Sequence, residues 1–184
     1  MSRRSTASTA ARVAAVAALC LAATVAAVPA NADPAGDASS AARVRGNAGA
    51  TLTADFPGFE GDAVRFEVDA RTDVNSAPAH GKGHFHVTHH RPDGRLVADF
   101  EGDIGCLAVG GGTAIATGVV TKGEVPWFPG TEVVGTKVSI TVQDNGRADR
   151  LGWIWGAFGA PVSDCQGTVP FMRTSSGGGF TVRG

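Results

Sequence analysis

All five histidines of the chain fall between His80 and His90. In an extended strand His84, His86, Thr88 and His90 project from one face, and Phe85, Val87 and His89 from the other. Imidazoles two residues apart on one face are close enough to share a metal ion, and zinc and copper both accept such nitrogen ligands. His84, His86 and His90 are therefore the candidate metal ligands, with zinc or copper as the candidate cofactor. Asp99 or Glu101, across the following hairpin, would supply an oxygen. The plainer reading is a solvated strand face that happens to be rich in histidine, with Phe85 and Val87 in the core. It is the stronger of the two, because any half-buried strand shows an alternating polar face, and on it no cofactor is expected.

Two metal-binding families open with a comparable His-x-His and can be tested against the spacing. A cupin places Glu a few residues later and a further His much later. Here Arg91 and Asp93 occupy the Glu region and no histidine follows His90. Copper–zinc superoxide dismutase likewise needs distant histidines. Any metal site would be local, and better suited to binding than to catalysis.

The remaining motifs carry less. Asp144-Asn145-Gly146-Arg147-Ala148-Asp149 spaces oxygen ligands somewhat like a calcium loop, yet lacks the twelve-residue layout and terminal Glu of an EF-hand. A tight hairpin turn with an Asp–Arg pair explains it more simply. Trp153 and Trp155 share a face with Ile154 opposite, and in a chain without tyrosine such aromatics are expected in the core. Trp127 lies with Phe128 in a Pro-rich loop and is the candidate ligand-binding residue, able to stack on a sugar or polymer. No Gly-x-Ser-x-Gly elbow and no Gly-rich phosphate loop is present. Asp99 and Glu101 are adjacent by alternation, but nothing suggests a cleft around them. No catalytic residue is assigned, and the balance lies against an enzyme.

These side chains must be positioned by strands. Val64-Arg65-Phe66-Glu67-Val68-Asp69-Ala70 alternates apolar and charged residues, and the segments at Phe85, Leu96, Ala114 and Val138 follow the same two-residue period. Pro92-Asp93-Gly94 and Asp144-Asn145-Gly146 sit between such runs as hairpin turns. No helical period is evident after the N-terminal segment, and the 26 glycines weaken helices and punctuate strands. About nine short strands predict an all-β fold, a single antiparallel barrel or sandwich. The segment from Gly179 to Arg183 reads as a final strand, which in a closed barrel would pair with an early one.

The N-terminus reads as a secretory signal spanning residues 1–32. Arg3, Arg4 and Arg12 precede an Ala-rich apolar run from Val13 to Val28, and Pro29-Ala30-Asn31-Ala32 offers small residues for cleavage. The run falls short of the roughly 20 residues that span a bilayer. Leu19 before Cys20 is unsuited to a lipoprotein site. Residues 33–47 are expected to be a flexible leader and residues 48–184 the β domain. Three of the 16 basic residues and none of the 17 acidic ones lie in the signal, so the mature chain carries a net charge of −4. Nucleic acid is not an expected partner of such a chain, and no segment would hold it to a membrane after cleavage. Cys106 and Cys165 are the two cysteines left, and outside the cytosol they are expected to pair. That bond closes 58 intervening residues and should stabilise the fold by about 4 kcal/mol on the loop-entropy model.

The string His84-Phe85-His86-Val87-Thr88-His89-His90, Asp93-Gly94, Ala98-Asp99-Phe100-Glu101-Gly102 and Cys106-Leu107 resembles a group of small exported actinobacterial β-domain proteins. Val142, Asp144-Asn145-Gly146, Asp149-Arg150, Asp164-Cys165 and Val169-Pro170-Phe171 extend the likeness over residues 50–173. Some of these proteins are labelled repetin, a label that carries no mechanism. The resemblance implies export and a β fold. The expected function is that of a secreted, extracellular, non-catalytic β module, a binding or structural surface component whose partner is unknown, a cell-wall or extracellular polymer being one candidate. The alternatives are a metal-binding protein using the histidine face and, behind it, a secreted hydrolase.

Overall fold

Alternation of apolar and polar residues folds here into nine antiparallel strands of one curled, half-barrel sheet. The computed structural model describes residues 41–73 and 80–184, all in one compact unit. The expected signal peptide and residues 33–40 lie outside the described residues. The strands are β1 (Arg43–Thr51), β2 (Ala63–Arg71), β3 (Lys82–His90), β4 (Leu96–Gly110), β5 (Thr113–Glu124), β6 (Lys137–Gln143), β7 (Arg150–Trp155), β8 (Met172–Arg173) and β9 (Ser176–Arg183). Their spatial order is β8-β7-β6-β5-β4-β3-β2-β1-β9, so each strand pairs with its chain neighbour until β9 returns beside β1. Phe180 lies opposite Gly46 in that last pairing, which is the early-strand pairing expected of the C-terminal segment.

The leader ends sooner than its composition suggests. β1 begins at Arg43, within the segment assigned to residues 33–47. Its inner positions are Val44 and then small residues, the half-buried Gly46 and the buried Ala48 and Ala50, which pack against neighbours without an apolar period visible in the sequence.

The inner face follows strand parity. In β2, Val64, Phe66, Val68 and Ala70 are buried, while Ala63, Arg65 and Glu67 are exposed. Phe85 and Val87 of β3, Phe100 and Ile104 of β4, Ile140 of β6 and Leu151 of β7 complete the core. Each large side chain contributes about 1.5–3 kcal/mol on burial. Gly102 sits directly opposite Phe85 and has to be a glycine. A Cβ there would lie 2.7 Å from the Phe85 ring, so the missing side chain is the space the ring occupies.

The expected hairpins form where their turn residues stand. Gly94 takes φ +84°, its N–H donates to Arg91 O at 2.9 Å, and Arg91 N–H donates to Arg95 O at 2.8 Å. At the β6–β7 turn, Gly146 N–H donates to Asp144 Oδ1 at 3.1 Å. The carboxylates that suggested a calcium loop take backbone amides instead of the arginine the sequence suggested. Asp149, 2 % exposed, accepts from Asn145 N–H at 3.0 Å and Phe180 N–H at 2.5 Å. Asp144 Oδ2 accepts from Val182 N–H at 3.2 Å. Two amides of β9 thus find acceptors on the far hairpin rather than being left as an open edge.

Cys106 and Cys165 are bonded, with their Cα atoms 5.4 Å apart. A bulge between Ile104 and Cys106 turns Cys106 to the outer face, opposite Thr117 of β5. The bond holds Cys165, Gln166 and Gly167, the middle of the long segment 156–171, over the outer face of β5 and β6. Cys165 N–H donates to Thr117 Oγ1 at 3.0 Å, and Ser139 Oγ donates to Gln166 O at 2.7 Å. Thr117, Ser139 and Thr141 are buried beneath this cover. The helical content of the described residues is 3-10 only, including the turn Gly156–Phe158, and no helix among them is long and apolar enough to cross a membrane.

Candidate functional site

The histidine face is wet and, where the sequence suggested no cleft around Asp99 and Glu101, carries an open depression lined by these two carboxylates with His86 and Lys122. His84, His86, Thr88 and His90 point outward, as parity requires, and each of the first two rings meets its own carboxylate on β4. His86 Nε2 is 2.7 Å from Asp99 Oδ1, and His84 Nε2 is 3.9 Å from Glu101 Oε2. Register places His86 opposite Glu101 and Thr88 opposite Asp99, so both contacts are diagonal. Glu101 is also 3.6 Å from Lys122 Nζ. Among the described residues no three His, Cys, Asp or Glu side chains gather as a metal would require, so His84, His86 and His90 are on one face but are not brought to one point.

The inner face has a different character at one end of the sheet. A cavity of about 320 Å³ opens there, lined almost wholly by apolar groups. β2 contributes Val64 and Phe66, β3 Val87 and His89, β4 Val97, Ala98 and Phe100, and β7 Trp153 and Trp155. Phe56 and Phe59 enter from the β1–β2 loop, Phe128 from the β5–β6 loop and Phe158 from the turn after β7. The β1–β2 loop is rigid enough for this role. Phe56 N–H donates to Thr53 O and Phe59 N–H to Phe56 O, each at 3.0 Å, while Leu52 N–H and Asp62 O close its base at 2.8 Å.

The rings form one contiguous surface. Phe56 stacks on Trp153 at 6.0 Å, Phe66 on Trp155 at 6.0 Å, and the two tryptophans lie 6.0 Å apart. Phe100 meets Trp155 edge-on at 5.3 Å, and Phe128 meets Phe158 at 4.8 Å. Trp153 and Trp155 do pack against the core as expected, but their free sides are cavity wall.

Behind His89 lies the one fully buried acid of the charged pairs among the described residues. Asp62 is 0 % exposed, with Oδ2 2.7 Å from His89 Nε2. Arg91 Nη1 stands 3.3 Å from each carboxylate oxygen and donates to Gly58 O at 2.7 Å. Val64 is opposite His89 in the ladder, so Asp62, two residues earlier, reaches His89 on the same diagonal. Asp62 and Arg91 cancel in charge, and a protonated His89 would leave a net buried cation. Burial accordingly holds the His89 imidazole below its ordinary range, against the pull of Asp62 and with Arg91 and His90 pushing the same way. A neutral imidazole whose Nε2 faces a carboxylate carries its proton there, and Nδ1 is left as a bare acceptor. No described residue hydrogen-bonds Nδ1.

Trp127 is half-exposed at the rim, and its ring is already engaged by guanidinium groups, Arg91 at 4.9 Å and Arg95 at 5.3 Å. Its neighbour Phe128 turns inward to the cavity. His89 was legible as a polar residue on the core face of β3, which demands a buried partner. Nothing in the sequence names Asp62 as that partner.

Comparison with known proteins finds no matching family model, no similar curated protein and no similar solved structure.

Proposed function

We propose that this protein is a secreted β module that binds a small, mainly apolar ligand in the aromatic cavity. The cavity carries this reading: about 320 Å³ falls within the few hundred Å³ usual for small-molecule sites, and its walls are aromatic with very few polar groups. The apolar run at the N-terminus and the disulfide, which is compatible with an extracellular location, support export. So does the likeness to small exported actinobacterial proteins. A single sheet whose last strand is also tied to the β6–β7 hairpin by Asp144 and Asp149 supports a barrel rather than a sandwich. The test is calorimetric titration with 2-methylnaphthalene. Saturable binding with a negative heat-capacity change is expected, lost in a folded Ala98→Phe variant that fills the cavity from β4. Absence of saturable binding to the wild-type protein by 2-methylnaphthalene and by its 2-hydroxy and 2-methoxy analogues refutes it.

One observation favours a second reading. His89, backed by Asp62 and bare at Nδ1, has the arrangement of a general base at the edge of a cavity. Turnover of an ester, glycoside or peptide substrate that disappears in His89→Gln would make the protein a hydrolase. The metal reading has less support, since His84 and His86 are each engaged by a separate carboxylate.

A further inference from the structure

The polar groups of the cavity wall are few, and they are unequal. Trp153 and Trp155 bring indole N–H groups, which can only donate. His89 brings Nδ1, which is the one acceptor among the lining side chains, because Nε2 is committed to Asp62 at 2.7 Å. Arg91, whose guanidinium could serve an anion, does not line the cavity. Its Nη1 is spent on Asp62 and Gly58. An aromatic guest is favoured as well. The lining rings meet one another both near-parallel, as Phe66 and Trp155 do at 8°, and edge-on, as Phe100 and Trp155 do at 88°. An aromatic ring entering between them can make the offset and edge-to-face contacts that such rings prefer.

Resting on the cavity reading above, we infer that the ligand class is an aromatic alcohol whose hydroxyl donates to Nδ1 of His89. A hydroxyl suits this wall better than an ether, ketone or carboxylate. It gives the proton that His89 needs and keeps lone pairs for an indole N–H. A carboxylate would bring an unpaired charge into an apolar site with no cation facing it, which is costly. A bare hydrocarbon would leave Nδ1 dry and unpaired, at the expense of a desolvated acceptor.

Three probes of one shape test this on the wild-type protein: 2-naphthol, 2-methoxynaphthalene and 2-methylnaphthalene, titrated calorimetrically at pH 7.5. The inference expects 2-naphthol to bind about five- to tenfold tighter than the other two, the worth of one net hydrogen bond. In His89→Phe, checked for folding by its thermal transition, the three should bind alike. Equal affinities in the wild-type protein overturn the inference and leave the cavity reading standing. A methoxy probe as good as the naphthol, with both better than the methyl probe, also overturns it, because the wall would then be acting through its donors. If none of the three binds, the cavity reading fails with it.

Discussion

Replacing both Cys106 and Cys165 with alanine should lower the stability of the domain by about 4 kcal/mol. The figure follows from the 58 residues the bond encloses, whose closure entropy is lost from the unfolded chain. For a domain of this length the unfolding entropy is about 0.3 kcal/mol/K, so the midpoint should fall by about 10–15 °C. Two native contacts decide whether that figure is a floor. If the segment 156–171 stays docked through Cys165 N–H to Thr117 Oγ1 and Ser139 Oγ to Gln166 O, chain entropy is the whole effect. If it lifts, Thr117, Ser139 and Thr141 meet water and the loss grows. Thermal and urea unfolding of the oxidised wild type and the double variant, followed by circular dichroism at pH 7, reads both terms. Amide exchange at residue 165 separates docked from lifted. A midpoint drop under about 3 °C with an unchanged urea slope would refute the reasoning, since the cover would then be held without its covalent tie.

Other perturbations have equally definite outcomes. Asp149→Asn keeps one acceptor oxygen for one buried and one part-buried backbone donor and should cost about 2 kcal/mol in urea unfolding, with faster exchange at Phe180; a loss under about 0.5 kcal/mol would contradict its role. The depressed His89 pKa means that below the ordinary His value of about 6.5 the unfolded chain takes up a proton the folded one refuses. Its contribution is therefore present above about pH 6.5 and lost as pH falls towards the folded value, and wild-type stability should drop more steeply from pH 6.5 to 5 than that of His89→Gln. Parallel slopes would mean that His89 is not held neutral by its surroundings. His84→Ala with His86→Ala should change stability by no more than about 1 kcal/mol, because both ion pairs are solvent-exposed. Near-stoichiometric zinc or copper in chelator-free protein that vanishes in this double variant would instead reinstate the outer-face metal site.

Much of the scaffold was legible because strands write a two-residue period and turns use special residues. β2, β3, β5 and β6 were readable from alternation, and Gly94 and Gly146 from their turns. The start of β1 is not legible in the sequence, because Gly46 is half-buried and Ala48 and Ala50 are buried without looking apolar. Thr117, Ser139 and Thr141 read as a wet face and are buried, since a segment from 25 or more residues downstream covers them. The site was the least legible part. Its rings come from β2, β4, β7 and three loops, and no single window of sequence holds more than a few of them. The histidine face drew notice by density, whereas His89, on the opposite face of the same strand, gained its setting from Asp62, which is 27 residues away.

The most direct test of the account uses the three indole N–H resonances, those of Trp127, Trp153 and Trp155. Titration of ¹⁵N-labelled mature protein with 2-naphthol should shift the Trp153 and Trp155 signals together, to saturation, with Trp127 at the rim moving little. No saturable shift of either cavity tryptophan, or a shift confined to Trp127, would contradict the claim that the aromatic cavity is a binding site.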